Sequence, residues 1–499
     1  MRIIYIDIDT TRADHLGCYG YHRNTSPHID QVAAEGVRFD QFFTPDAPCL
    51  PSRAALYTGQ FGIQSGIVGH GGTAADPKIE GRTRGFRDRM ERHGLVRQLQ
   101  KHGLRTVLIS PFGQRHSAHW FHDGFNEIYN TGQGGAESAE TLRPVFEKWL
   151  KENVACDNYY LHINLWDPHT PYRAPASMGE PFKNDPLPQW LNNEKLIQQH
   201  NKMAGPHTSL EISMYNDKEE ARFPRQPGKV TDLASMRRLI DGYDTGILYA
   251  DQQVGYIIQQ LKAAGVYEDT AIIISSDHGE NFGELGIYAE HGTADAITCR
   301  IPFIVKWPGG KKGAVAPGFQ YNLDWAPTLM DLLGRDKPAA WDGRSFATTI
   351  KTGNNAGREE LILSQCCHVC QRSVRWDRWL YVHTYHDGFH LFPREMVFDI
   401  AADPHEQNDL ADSEPAIRNE GAWRLARWHN EQMQKMAVEG SDVVDPLWTV
   451  VREGGPFHAQ HGDTTLLTRY IARLEATGRA EGAKALREKY ACFLPAAKA

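Results

Sequence analysis

MRIIYIDIDT, residues 1–10, decides how the rest of the chain is read. Its apolar run is short and is broken by Asp7 and Asp9, which sets it apart from the core of a secretory leader and marks it as a first buried strand. Three further runs are of the same kind: RTVLIS at 105–110, YYLHINL at 159–165 and TAIIISS at 270–276. Between them lie HGLVRQLQKHG, AESAETLRPVFEKWLKENV and LASMRRLIDGYDTGILYADQQVGYIIQQLKAAG, whose apolar residues recur at helical spacing. Strands alternating with helices predict an α/β sandwich around a mostly parallel central sheet. Such sheets bind ligands beyond the carboxyl ends of their strands. The first candidates for a site are therefore Asp9, the residues from Ser110 onward, Trp166-Asp167-Pro168-His169 and Asp277-His278.

A chain of 499 residues has room for a large domain and a smaller one. Lys and Arg number 54 against 62 Asp and Glu, a formal net charge of −8, and without a basic excess nucleic acid is not expected as a partner. No run approaches the roughly 18 uninterrupted apolar residues of a membrane span, so no membrane partner is expected either. The 8 cysteines are spread too widely for a small disulfide framework, and with no export signal read at the N-terminus a cytoplasmic location is expected.

Residues 173–230 are rich in Pro, Asn, Gln and charge and carry little periodicity, which predicts a long surface excursion beside the strand-end face. Past residue 350 the pattern changes to strands, RSVRWDRWLYVHTY and MVFDI, followed by a helix near 415–437. The expected division is a catalytic domain over 1–350, a smaller C-terminal α+β subdomain over 351–440 and a helical extension over 441–499. The apolar face of TTLLTRYIARLEATGRAEGAKALREKY in that extension needs a partner, on its own chain or on a second copy in a homo-oligomer.

The chemistry centres on CLPSRAALYTG at 49–59. Pro51 suits the first turn of a helix, which puts Cys49 at a helix N-terminus where backbone donors and the helix dipole favour an anion. Arg53 then lies close enough to hold residue 49 or its neighbours. Taken alone, Cys49 reads as a buried structural thiol. The whole segment, however, resembles the signature of the type I sulfatases, C-x-P-S-R-x-x-L-x-T-G, at every fixed position. That resemblance implies an alkaline-phosphatase-like α/β fold, and a formylglycine-generating maturase as a partner that oxidises Cys49 to an aldehyde. One hydroxyl of the hydrated aldehyde would attack sulfur and the other would later expel sulfate, a form of covalent catalysis.

The resemblance also implies one divalent cation held by Asp9, Cys49, Asp277 and His278, with SSDHGE at 275–280 similar to the family segment that supplies the last two. Carboxylate oxygens suit calcium, magnesium or manganese, an imidazole shifts the preference toward manganese or zinc, and the resemblance favours calcium. Many family members have a second Asp where this chain has Thr10, so one carboxylate is missing. Asp7 shares a strand face with Asp9 by alternation and reads as a supporting or a purely structural acid.

Three histidines follow from similar segments: His169 in WDPHTPY, His116 in PFGQRHSAHWFHDGF, where Gln114 replaces the family's Lys, and His291 in EHGTADAITCRIPFIVKWPG, where many members have Lys. Each can bind sulfuryl oxygens or protonate a leaving alkoxide, and Arg115 is a further candidate for binding an anion. LDWAPTLMDLLG, DGRS and MVFDIAADPHEQNDLA extend the resemblance over most of residues 3–411, in structural roles. Cys366-Cys367-His368-Val369-Cys370 has the look of half a zinc site. No second cysteine pair follows at a suitable spacing, which leaves buried or loop thiols as the reading.

The function these residues imply is hydrolysis of a sulfated small molecule or glycan. A glycan is preferred because Trp190, Tyr215 and Arg222 of the excursion would suit a ring and its charges. One rival is hydrolysis of phosphonate monoesters or phosphodiesters by the same nucleophile, against which Ser52 speaks. The other is a non-catalytic sulfosugar-binding protein in which Cys49 escapes oxidation.

Overall fold

Ile3, Ile4, Ile6 and Ile8 are all buried because the strand that carries them, Arg2–Ile8 (β1), runs through the middle of an eight-stranded sheet. The other strands are Val37–Phe39 (β2), Arg105–Ile109 (β3), Glu127–Tyr129 (β4), Tyr159–Leu165 (β5), Thr270–Ser275 (β6), Phe303–Lys306 (β7) and Ala314–Ala316 (β8). Their spatial order is β8-β2-β7-β6-β1-β5-β3-β4. Only β7 runs against the rest, pairing antiparallel with both β6 and β2. A strand covered on both faces has no wet side, which is why these runs read as unbroken apolar stretches. The computed structural model describes residues 1–78, 89–354, 357–439, 443–456 and 465–494.

The helical segments fall where their spacing placed them, at Leu95–Lys101, Ala139–Asn153 and Leu233–Ala263. The last begins at a capping box, with Asp232 accepting from the Ser235 amide and the Ser235 side chain reaching back to the cap. Its Ile240, Tyr243, Ile247, Val254 and Leu261 are buried in the same core as β1.

A second sheet orders Glu395–Asp399, Trp379–His386, Cys370–Trp376, Glu360–Gln365 and the short strand Asp46–Ala47. RSVRWDRWLYVHTY is thus a hairpin that turns at Asp377, whose φ is +44°, rather than one strand. The helix Pro415–Glu439 covers this sheet, with Leu425 packed among Ile362, Val374, Tyr381 and Val397. Because Asp46–Ala47 belongs to the sheet, the C-terminal part of the chain grips the segment that leads into Cys49.

Within 173–230 the only helical pieces are Ala176–Met178 and Glu194–His200, in keeping with an irregular excursion. Two of its aromatic side chains, both partly buried, pack against the rest of the chain. Trp190 stacks on His405 with ring centroids 4.0 Å apart, and Tyr215 packs on Tyr470 at 5.4 Å. Arg222 is exposed and pairs with Glu220. The C-terminal stretch is two helices, Leu466–Ala476 and Ala480–Lys489, broken around Gly478. Their apolar residues Leu467, Tyr470, Ile471 and Leu474 pack with Ala204 and Phe389 of the same chain. The face that left room for a second copy is therefore filled from within, and it gives no basis for a homo-oligomer. Among the described residues no helix is long and apolar enough to cross a membrane.

Candidate active site

Three chain segments deliver polar groups to one buried point beyond the carboxyl end of the sheet. β1 leads directly into Asp9, β6 leads within two residues into Asp277 and His278, and the helix Cys49–Thr58 starts at Cys49, which is only 2% exposed. The Cys49 Sγ lies 3.0 Å from His278 Nε2. Oxygen, nitrogen and sulfur atoms of Asp9, Cys49, Asp277 and His278 all lie within 4.8 Å of one another.

Arg53, one turn into the helix, ties the acids together. Its Nε donates to Asp7 at 2.8 Å, Nη1 to Asp277 at 2.5 Å and Nη2 to Asp9 at 2.9 Å, while its guanidinium lies over Phe112. Asp7 therefore orients Arg53, a role the strand alternation left open. Where a second family Asp is missing, the Thr10 hydroxyl donates to Asp9 Oδ1 at 2.7 Å and its amide to Asp277 at 3.1 Å. Thr10 holds a φ of +62°, costly for a β-branched residue, and its carbonyl accepts from the Tyr243 hydroxyl. Ser52 fastens the helix to β6 by donating to the Asp277 carbonyl at 2.6 Å, and Asn322 donates to the Ser52 carbonyl.

Three buried carboxylates thus face one buried guanidinium, and the electrostatics register the excess. Burial and the neighbouring Asp9 push the Asp277 carboxyl up to about 6 against the pull of Arg53. Burial acts the same way on Asp9, but Arg53, His169 and His278 hold it below the usual range. Burial, then Asp9 and Asp277, push the Cys49 thiol well up, which keeps it protonated and a poor nucleophile in its native form. His278 Nδ1 donates to the Gly279 carbonyl at 2.8 Å, so Nε2 turns its lone pair toward the acids. Two carboxylates, an imidazole lone pair and uncompensated negative charge are a donor set that fits a divalent cation.

The expected histidines converge here. The His291 ring lies 3.9 Å from that of His278, tilted by 34°, and His169 lies 5.7 Å from His291. His116 packs on Phe112 and is close enough to Arg53 and Asp9 to feel both charges. Burial pushes His291 down to about 4, His116 to about 3 and His169 well below its usual value, so all three rings are neutral at pH 7. Arg115 lies over Trp166 and acts electrostatically on Cys49, whereas Gln114 hydrogen-bonds to Asn130 at the surface.

Other neighbours carried no signal in the sequence. His70 accepts from the Leu50 amide at 3.3 Å and stands 4.8 Å from the His116 ring, yet it sits in an irregular glycine-rich stretch. His291 is flanked by Glu290, 2.8 Å from its Nε2, and Glu280, 3.2 Å from its Nδ1.

Comparison with known proteins agrees with this geometry. The sulfatase family profile matches residues 2–335, and that of the N-sulphoglucosamine sulphohydrolase C-terminal region matches 283–425. An arylsulfatase of Clostridium perfringens is 23% identical over 457 residues, 83% of this chain and 90% of that protein. A solved structure in complex with its substrate D-glucosamine-2-N,6-O-disulfate has a TM-score of 0.66 at 17% identity, covering 87% of this chain and 98% of that one. A phosphonate monoester hydrolase of Agrobacterium radiobacter also gives 0.66, at 19% identity, with 86% and 96% covered. At these identities the two structures establish the shared α/β fold.

Proposed function

The chain belongs to the sulfatase family, and on that premise we propose that it hydrolyses a sulfate ester at residue 49, through a nucleophile made by oxidising Cys49 to formylglycine. The observation that carries this reading is the placement of Cys49: at a helix N-terminus, 3.0 Å from His278, among Asp9, Asp277 and Arg53. A thiol held protonated there is a poor nucleophile, while a hydrated aldehyde offers one hydroxyl to attack sulfur and a second to expel sulfate. The residue would be made by a maturase.

Asp9, Asp277, His278 and residue 49 would hold one divalent cation. Bound there, it would polarise the ester and ease deprotonation of the attacking hydroxyl. The carboxylates favour calcium, with manganese or zinc admitted by His278. Arg53, fixed by Asp7, keeps Asp9 and Asp277 aimed at residue 49. An anion beside His169 and His291, both neutral before substrate arrives, favours their protonation, and a protonated ring would bind sulfuryl oxygens or pass its proton to the leaving oxygen. His116 and Arg115 complete the anion-binding wall.

For the alcohol we favour a sulfated glycan. Support comes from the disulfated glucosamine bound by the structural relative and from a cleft of about 680 Å³ lined by Arg173, Arg222, Arg225, Arg237 and Arg238. Arg173 also donates to the His169 carbonyl, so that cleft borders the site. The protein co-expressed with a maturase should release free sulfate from sulfated glycans and aryl sulfates. Faster turnover of phosphonate esters would move it to the rival chemistry. An unmodified thiol in the Cys49 peptide, with binding but no turnover, would make it a sulfosugar-binding protein.

A further inference from the structure

Next to the Cys49 cluster, three residues from distant parts of the chain form a second group of metal-type donors. His207 comes from the excursion, Glu290 from the strand Tyr288–Glu290, and His368 from the turn ahead of Cys370–Trp376. Donor atoms of all three lie within 4.8 Å of one another. Glu290 sits between the rings, with Oε2 at 3.2 Å from His207 Nε2 and Oε1 at 3.5 Å from His368 Nε2.

The hydrogen bonding of His207 points to what belongs in that space. Its Nδ1 lies 3.2 Å from the Ile212 carbonyl, which can only accept, so Nδ1 carries a proton. In the neutral ring Nε2 then presents a lone pair to a carboxylate oxygen, a repulsive contact that a cation between them converts into two bonds. A backbone carbonyl fixing one ring nitrogen while the other faces acids is also the arrangement of His278, and it is how ligating histidines are oriented.

We propose that His207, Glu290 and His368 bind a second divalent cation of the zinc type, beside the Cys49 cluster. Two imidazoles and one carboxylate match zinc and are too few and too nitrogen-rich for calcium, which takes six to eight oxygens. Three protein ligands leave a fourth position. His207 also lines a cleft of about 260 Å³ with Thr170, Pro171 and Phe223, from which water or an anionic substrate group would fill it. The cation ties the excursion to the wall of the active site and, through Glu290 Oε1 at 2.8 Å from His291 Nε2, to a histidine of the sulfate pocket. It also gives the run 366–370 a role different from half a cysteine site. The ligand is His368, while Cys366 and Cys370 pack with Val68, Leu447 and Val450.

The test uses the full chain, stripped with chelator and reloaded with zinc alone, in three forms: wild type, His207→Ala and His368→Asn. The expected result is one zinc equivalent fewer in each variant, or binding at that site weakened by at least roughly tenfold, with wild-type circular dichroism. Equal zinc uptake by all three overturns the proposal. Should the variants fail to fold, zinc-edge X-ray absorption on a His278→Ala protein, which weakens the Cys49 cluster, decides. A shell of two imidazoles and oxygen supports the site; sulfur ligation, or no bound zinc, overturns it.

Discussion

Arg53 donates to Asp7, Asp9 and Asp277 from one guanidinium, and no other side chain offers that planar fork. Replacing it with Ala leaves buried carboxylates unpaired, and the loss of a buried ion-pair partner costs about 3–5 kcal/mol. Arg53→Ala should therefore melt well below wild type in the metal-free state, and Arg53→Lys should keep part of the stability but little turnover. An unchanged melting curve for Arg53→Ala would show that the acids are compensated elsewhere. His169→Ala and His291→Ala should each lower kcat roughly a hundredfold on an alkyl sulfate and less on a nitrophenyl sulfate, whose leaving oxygen needs little protonation. Equal losses on both substrates would restrict the two rings to binding. Cys49, Asp9, Asp277 and His278 were legible because a motif or a strand end marks them. His70 and His207 were not, because they arrive from irregular backbone, and Glu290 was not, because it sits on a three-residue strand too short to show a period.

The strand Asp46–Ala47 joins the second sheet to the helix that begins at Cys49, and Asp46 is buried there, accepting from the Gly62 amide at 2.7 Å. Burial pushes its carboxyl from an ordinary 3.8 to about 7. A raised acid keeps its proton in the folded state after the unfolded chain has lost it. Its contribution to stability therefore falls as pH rises from about 4 to about 7, by at most ~1.4 kcal/mol per pH unit. Asp46→Asn removes that slope, so chemical denaturation across this range should show the variant gaining on wild type as pH rises. Parallel curves would mean that Asp46 ionises freely. Ser52→Ala should cost about 1 kcal/mol through its lost bond to the Asp277 carbonyl, with a larger relative loss of metal affinity. The central strands were legible because burial on both faces leaves unbroken apolar runs. The hairpin at Asp377 was hidden because its turn residues, Asp377 and Arg378, lack the glycine or asparagine that marks a tight turn.

Across the whole chain the site is held from both ends: the first strand supplies Asp9, while the C-terminal sheet and helices clamp the nucleophile segment and the excursion. The two C-terminal helices are fastened by Arg479, which pairs with buried Glu211 of the excursion. Deleting residues 465–499 should expose Ala204 and Phe389 and strand Glu211, lowering the melting temperature by several degrees. An unchanged melting temperature would mean that the extension is a passenger. This packing was the part of the architecture least legible beforehand, because an amphipathic helix shows that a partner exists without showing which surface it is.

The central claim is that turnover depends on an oxidised residue 49, and release of free sulfate from an aryl sulfate tests it directly when wild type and Cys49→Ser are each co-expressed with a maturase and compared at equal concentration. With a maturase that oxidises only the thiol, a serine keeps its single hydroxyl and cannot supply the second one that expels sulfate. Sustained release by wild type with Cys49→Ser at background is the predicted result; equal rates for the two proteins would contradict it.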